Sequence, residues 1–176
     1  MRPVPTTLTQ PSEGRAQAIV FLIDAYEGVR TAAGKGLPHA QAVADILRDA
    51  GHDQRAQVVG LLHDVVEDTP RSIQDVRDGF GETIAAMVQA LTEDDSIRNY
   101  AQRKAALRAQ VIGAGTTVMD IALADKIASL QHAGLTATRI RPRKLAHYEA
   151  TLRLAAAAGA DEALCRRLAE LLEPNP

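Results

Sequence analysis

The chain has 176 residues, enough for one compact domain with a hydrophobic core and too few for two such domains. Its 20 Lys and Arg against 22 Asp and Glu give a net charge of -2, which excludes a global positive field. We therefore expect neither nucleic acid nor an anionic membrane as a partner. A single cysteine, Cys165, excludes an intramolecular disulfide and a thiolate-rich zinc site, so we expect a reducing, cytoplasmic location.

The composition favours helices. Hydrophobic residues make up 46% of the chain but aromatic residues only 3%, without any Trp, so the core must be aliphatic and rich in Ala. Strands prefer β-branched and aromatic residues, and this composition therefore predicts an all-α fold. No segment approaches the roughly 18 consecutive apolar residues of a membrane span, and the N-terminus lacks an apolar run of signal-peptide length.

Proline and glycine divide the chain into helical segments. Residues 1–13 carry three prolines and predict a flexible N-terminal arm, whereas residues 14–176 form a single domain. Ser12 is placed to cap the first helix and Ser72 a later one. Apolar periodicity predicts helical segments over residues 15–30, 38–50, 53–67, 72–79, 80–91, 97–111, 116–132, 139–158 and 161–172. We interpret them as one bundle of about eight helices.

The segment GLLHDVVEDTP places charge within an apolar run. On one continuous helix, His63 would pair with Glu67, and Asp64 with Asp68, at i,i+4. Carboxylates crowded in a low-dielectric setting repel one another and require a positive charge nearby. A solvated helix end could explain Glu67 and Asp68, but it explains His63 and Asp64 poorly because they lie inside the apolar run.

Two further polar residues occupy core positions. His39 lies four residues before Val43, on the apolar face of the second helix, where a single histidine would usually be a core residue bonded to a carbonyl. Asp125 is surrounded at i±3 and i±4 by small and mostly apolar residues. A buried ion pair with Lys126 is the alternative for Asp125, but adjacent residues point about 100° apart around a helix, which disfavours it.

These residues together predict a metal site. The candidate ligands are His39, His63, Asp64 and Asp125. Mixed nitrogen and oxygen ligands without thiolate suit Mn²⁺, Fe²⁺ or Zn²⁺. Four protein ligands leave positions for water and a substrate oxygen, and Glu67 and Asp68 stand where they could hold or deprotonate that water.

The strings LLHDVVEDT, FGETIAAMVQALT and LADK resemble the HD-domain metal-dependent phosphohydrolases. They are most similar to the stand-alone small alarmone hydrolases and to the hydrolase domain of the alarmone synthetase/hydrolases, over roughly residues 39–130. The resemblance implies Mn²⁺-dependent removal of the 3′-diphosphate from guanosine tetra- or pentaphosphate. It also implies that the four candidate ligands hold the metal and that the acidic pair, Glu67 and Asp68, handles the attacking water.

The substrate pocket departs from the family pattern. Before the first ligand the chain reads GKGLPHA, without the family's Tyr, and Ser129 stands where the family has Asn. We predict phosphate contacts from Arg30 and Lys126, since a polyphosphate needs cations beyond one metal, and a pocket lined by Ser129 and Tyr148. An HD-type nucleotidase or pyrophosphatase, or a non-catalytic nucleotide-binding module, remains an alternative, and the sequence leaves homodimer formation open.

Overall fold

The computed structural model describes residues 13–31, 35–136 and 138–173. Within these ranges the regular structure is entirely helical, so the predicted all-α class is confirmed. The helices are α1 (Glu13–Ala25), α2 (Leu37–Asp49), α3 (Gln54–Leu62), α4 (Val65–Asp68), α5 (Ile73–Phe80), α6 (Glu82–Leu91), α7 (Tyr100–Gly113), α8 (Thr116–Leu135), α9 (Pro142–Ala157) and α10 (Glu162–Leu172). The predicted arm, apart from residue 13, and the predicted Ser12 cap lie outside the described residues.

Helix α8 forms the centre of the bundle. Its sequence is apolar around most of its circumference, and twelve of its residues are buried. Helices α2 and α3 pack on each other and on α8, while α9 and α10 pack against α8 as well. No helix in the described ranges is both long enough and apolar enough to cross a membrane.

The helix predicted over residues 53–67 is interrupted at its charged segment. Helix α3 ends at Leu62, and the single turn α4 begins at Val65. Between them Asp64 has φ −97° and ψ −3°, in the bridge region, and its carbonyl accepts from the N–H groups of Glu67 and Asp68 at 3.1 and 2.9 Å. The prediction of a continuous helix is therefore wrong, and the i,i+4 stacking of His63 on Glu67 does not apply.

Two other helix boundaries were predicted from local signals, one incorrectly and one correctly. Helix α1 ends at Ala25 instead of residue 30, because the chain turns through Gly28 at φ 73°, in the left-handed region. The Ser72 cap is confirmed: its side chain accepts from the N–H of Asp75, and Asp75 accepts from the N–H of Ser72 in return.

Gly60 allows α3 to lie close to α2. A Cβ atom at this position would be 2.7 Å from Leu47 Cδ1 and 3.3 Å from Val43 Cγ1, both in the core. We expect Gly60→Ala to lower the free energy of unfolding by about 1–3 kcal/mol through overpacking, measured by denaturant unfolding. In the control Gly79→Ala, where a Cβ meets no heavy atom within 4 Å, stability should rise by roughly 0.5–1 kcal/mol. Equal effects of the two substitutions would contradict the packing argument.

Candidate functional site

Three buried or partly buried side chains from different elements converge on one point. His39 lies on α2, His63 follows the last residue of α3, and Asp125 lies on α8. One ligand atom from each lies within 4.8 Å of the others. Asp125 Oδ1 is 3.0 Å from His39 Nε2 and 3.7 Å from His63 Nε2. The packing of α2, α3 and α8 therefore brings three of the four predicted ligands together.

The fourth predicted ligand, Asp64, lies beside this cluster. Its Oδ1 is 3.3 Å from His63 Nε2, whereas its Oδ2 is bound by Lys35 Nζ at 2.5 Å. His63 still has helical backbone angles, φ −56° and ψ −37°, so Asp64 continues the path of α3 and only the residues after it depart from that path. Lys35 Nζ is also 3.9 Å from Asp68 Oδ2, so a single ammonium group neutralises part of the acidic charge.

The donor set fits a divalent cation. His63 Nδ1 lies 2.8 Å from the Gly60 carbonyl, which fixes the proton on Nδ1 when the ring is neutral and leaves the Nε2 lone pair toward the carboxylates. His63 Nε2 is buried and has no hydrogen-bond partner among the described residues. On a neutral ring this lone pair would face two carboxylates, which is unfavourable unless the ring takes up a proton or a divalent cation lies between them.

The protonation equilibria of the cluster show the same demand for positive charge. Burial alone would lower the pKa of His63, but the charges of Asp64 and Asp125 outweigh it and raise that pKa well above its ordinary value. Burial likewise opposes ionisation of Asp125, yet Lys126 and the two imidazoles hold the pKa of its carboxyl well below the usual range. The pKa of Asp64 is lowered in the same way by His63 and Lys35 against the effect of burial.

Lys126 pairs with Asp125, contrary to the prediction from helix geometry. Its Nζ lies 2.9 Å from Asp125 Oδ2, and the lysine is only 6% exposed. The Cα–Cβ directions of adjacent residues do diverge on a helix, but a flexible four-carbon side chain can bring its ammonium group back. Lys126 is thus the buried partner of a candidate ligand, and it also lines the neighbouring pocket.

A pocket of about 270 Å³ opens beside the cluster. Of the predicted contacts, Lys126, Ser129 and Tyr148 line it, whereas Arg30 is exposed and does not. Burial raises the pKa of Tyr148 and the positive charge of Lys126 lies 5.8 Å from its ring centroid. The pocket therefore combines partly buried and exposed acids with cations and an aromatic wall.

The predicted acidic pair is divided by the structure. Glu67 lines the pocket, and its Oε1 accepts from the N–H of Glu93 at 2.7 Å. Glu67 is exposed by its accessible surface. The protein around its carboxylate nevertheless raises its pKa to about 7 together with the charges of Asp64 and Glu93, against the Glu93 N–H bond, which lowers it. Asp68 lies outside the pocket lining, 3.5 Å from the Tyr26 hydroxyl, and burial raises its pKa.

Sequence reasoning missed several pocket residues. Tyr100, Lys104 and Lys144 all line the pocket, and Glu93 accepts from both Arg103, at 2.7 Å, and Lys104. Tyr100 and Lys104 stand at i,i+4 and share one face of α7, which was the available signal. The signal was weak because the same spacing is common on solvated helix faces.

Comparisons with known proteins identify related sequences and structures. A family model described as "HD domain" matches residues 18–152. The bifunctional (p)ppGpp synthase/hydrolase SpoT of Escherichia coli K12 is 36% identical over 83 residues, which is 47% of this chain and 12% of that protein. The guanosine-3′,5′-bis(diphosphate) 3′-pyrophosphohydrolase of Haemophilus influenzae is 31% identical over 124 residues, 69% of this chain and 18% of that protein. The chain thus spans less than a fifth of the length of either relative.

Solved structures share the fold along most of the chain. A structure described as a metazoan ortholog of SpoT that hydrolyzes ppGpp superposes with a TM-score of 0.77 at 23% identity, covering 93% of this chain and 96% of that one. The protein lmo0812 from Listeria monocytogenes EGD-e superposes with a TM-score of 0.67 at 27% identity, covering 77% of this chain and 96% of that one.

Proposed function

The chain belongs to the HD domain family, and from that premise we propose that it is a metal-dependent phosphohydrolase that removes the 3′-diphosphate from guanosine tetra- or pentaphosphate. The family membership confirms the resemblance seen in the sequence. The names of the relatives support the choice of substrate, since one includes (p)ppGpp hydrolase and another guanosine-3′,5′-bis(diphosphate) 3′-pyrophosphohydrolase.

One observation carries the proposal. The candidate ligand atoms of His39, His63 and Asp125 lie within 4.8 Å of one another, beside a pocket that also contains Glu67 and several lysines. His63 Nε2 is buried without a hydrogen bond among the described residues, and a bound cation would give it a partner. A phosphohydrolase needs this combination: a cation site, a proton acceptor and positive charge for a polyanion.

The proposed metal is Mn²⁺, held by His39, His63, Asp64 and Asp125. Two imidazoles and two carboxylates suit this ion, although Fe²⁺ and Zn²⁺ accept the same donors. A divalent ion, when bound, acts as a Lewis acid that polarises the reacting phosphate and favours ionisation of water. Asp64 would contribute through Oδ1, which already lies beside His63 Nε2, while its Oδ2 keeps Lys35 as its partner.

Glu67 is the proposed general base. One carboxylate oxygen is held by the Glu93 N–H, which leaves the other to accept a proton from the attacking water. A base is most effective when its pKa lies near the working pH, and the pKa of Glu67 is raised to about 7 before a cation binds beside it. Asp68, which interacts with Tyr26 and Lys35, would position that lysine instead of touching the substrate.

The substrate would lie between lysines and aromatic rings. Lys104, Lys126 and Lys144 line the pocket, as do Tyr100 and Tyr148. Ammonium groups offset the charge of a polyphosphate, and the rings offer apolar faces to the nucleoside. A soluble nucleotide substrate and a single thiol are both compatible with the cytoplasmic location predicted from the sequence.

A substrate panel tests the proposal. Guanosine tetraphosphate, nicotinamide dinucleotide phosphate and nucleoside monophosphates are incubated with the Mn²⁺-loaded protein, and released phosphate and diphosphate are quantified. Diphosphate from guanosine tetraphosphate alone is expected. Phosphate from the monophosphates would favour the nucleotidase alternative, and binding of guanosine tetraphosphate without release of either product would favour the non-catalytic module.

A further inference from the structure

A second cavity, of about 420 Å³, adjoins the pocket of about 270 Å³ beside the candidate ligands, which we call the candidate pocket. We call it the basic groove; its charged lining residues are Arg139, Arg141, Arg143 and Lys144, and Tyr100 and Ser129 line it as well. It lies between the end of α8 and the start of α9. Tyr100, Ser129 and Lys144 also line the candidate pocket, so the two cavities share a wall and one ligand could reach both.

The basic groove carries positive charge without compensation. No Asp or Glu is among the described residues that line it. In the part of the chain that the structure describes, Arg139, Arg141 and Arg143 form no ion pair with a carboxylate. Arginine remains protonated at every physiological pH, and its planar guanidinium group suits the oxygens of a phosphate. Three unpaired arginines beside one cavity therefore favour an anionic ligand.

Aromatic contacts and the backbone support the same arrangement. The Arg143 guanidinium lies 4.8 Å from the centroid of the Tyr100 ring, and Lys144 Nζ lies 5.5 Å from that of Tyr148. These contacts restrain two of the cations at the boundary between groove and pocket. Helix α9 begins here with Pro142 and has no side-chain cap from the described residues, so its positive dipole end adds to the field.

We propose that the basic groove binds the 5′-phosphates of the guanosine nucleotide while the 3′-diphosphate lies at the candidate metal centre. The inference rests on the proposed function and extends it: the protein selects nucleotides that are phosphorylated at both ends. Affinity should then increase with the number of 5′-phosphates. The reacting end contributes the same contacts in every case, so kcat should change little.

The test uses three guanosine 3′-diphosphates that carry one, two or three phosphates at the 5′ position. In the unaltered protein, KM should fall as 5′-phosphates are added. In the combined variant Arg139→Gln, Arg141→Gln, Arg143→Gln, we expect KM for the 5′-triphosphate to rise about tenfold, with kcat nearly constant and the dependence on 5′-phosphates largely lost. Added salt should raise KM in the unaltered protein and much less in the variant, because salt screens exposed charges.

The matched control is Arg153→Gln, an exposed arginine on the same helix α9 outside the basic groove, which should leave all three KM values unchanged. If the nucleotides are hydrolysed but KM depends neither on the number of 5′-phosphates nor on the three arginines, the groove inference is overturned and the proposed function stands. If none of the three nucleotides is hydrolysed, the proposed function fails. The Kd of the 5′-triphosphate nucleotide then shows whether the basic groove binds 5′-phosphates. Weaker binding by the combined variant than by the control would support it, and equal binding would overturn it.

Discussion

Replacing Asp125 by Asn is expected to abolish metal-stimulated hydrolysis and to remove the bound ion. Asp125 Oδ1 lies 3.0 Å from His39 Nε2 and 3.7 Å from His63 Nε2, so its carboxylate is the shared centre of the candidate ligand set. An amide of the same shape supplies no negative charge. Loss of residues that merely support metal ligands costs about 10- to 100-fold in affinity or activity, so losing a ligand should lower kcat/KM by at least about a hundredfold.

Thermal unfolding measures the effect of the same substitution on metal binding without an assay of turnover. At a hundredfold excess over its Kd, Mn²⁺ should raise the free energy of unfolding of the unaltered protein by about 2.7 kcal/mol. For a domain of this size that corresponds to a rise in Tm of about 5–10 °C. Asp125→Asn should show almost no rise. Without the ion, the variant should lose about 1–3 kcal/mol because buried Lys126 loses its partner, while its helical circular dichroism persists.

The matched control for this substitution is Asp120→Asn. Asp120 lies on the same helix and is 5% exposed. Its carboxylate accepts a hydrogen bond from the Asp161 N–H and faces His52 instead of the candidate ligands. This variant should keep both its ion and its turnover. If Asp125→Asn behaved like Asp120→Asn, Asp125 would not be a ligand.

Replacing Glu67 by Gln should lower kcat by about 10²–10⁴-fold and leave metal binding intact. Glutamine can still accept from the Glu93 N–H, so the shape of the site is kept and only the proposed proton acceptor is removed. Unlike the Asp125 variant, this one should therefore show the full rise in Tm on addition of Mn²⁺. Glu149→Gln, on the exposed face of α9, is the control and should be fully active.

The pH dependence provides a second readout for Glu67. A general base must be unprotonated, and the raised pKa of Glu67, about 7, means that the unprotonated form is gained only as the pH rises toward neutrality. The rate should therefore increase with pH and level off above the pKa. A bound divalent ion adds positive charge beside Asp64, lowers the pKa of Glu67 and so shifts this rising limb of the pH–rate profile to lower pH. In Glu67→Gln the limb should disappear; if it persisted unchanged, another group would be the base.

The sequence allowed prediction of the fold class, and it also singled out three polar side chains that the structure brings together. His39 and His63 are buried and Asp125 is partly buried, at positions that the surrounding apolar residues place in or beside a core, and such a conflict is visible without coordinates. The all-α class followed from an aliphatic, Ala-rich composition. Both inferences depend on local patterns, which a single sequence records well.

The details that could not be predicted depend on tertiary contacts. The break at His63 and Asp64 is accompanied by contacts with the Gly60 carbonyl and Lys35, and no local signal such as Gly or Pro marks it. The pairing of Lys126 with Asp125 depends on side-chain flexibility, which residue spacing does not express. Lys104 and Lys144 resemble ordinary surface lysines until the bundle places α7 and α9 beside the pocket.

The most direct test of metal-dependent 3′-diphosphate removal is to identify the products formed from guanosine tetraphosphate. Protein stripped of metal with a chelator is divided, one part is reloaded with Mn²⁺, and both are followed by phosphorus NMR. We predict one inorganic diphosphate for each guanosine 5′-diphosphate formed, in the reloaded sample only. Stepwise release of single phosphates, equal activity in the stripped sample, or no reaction in either would contradict a metal-dependent 3′-diphosphate hydrolase.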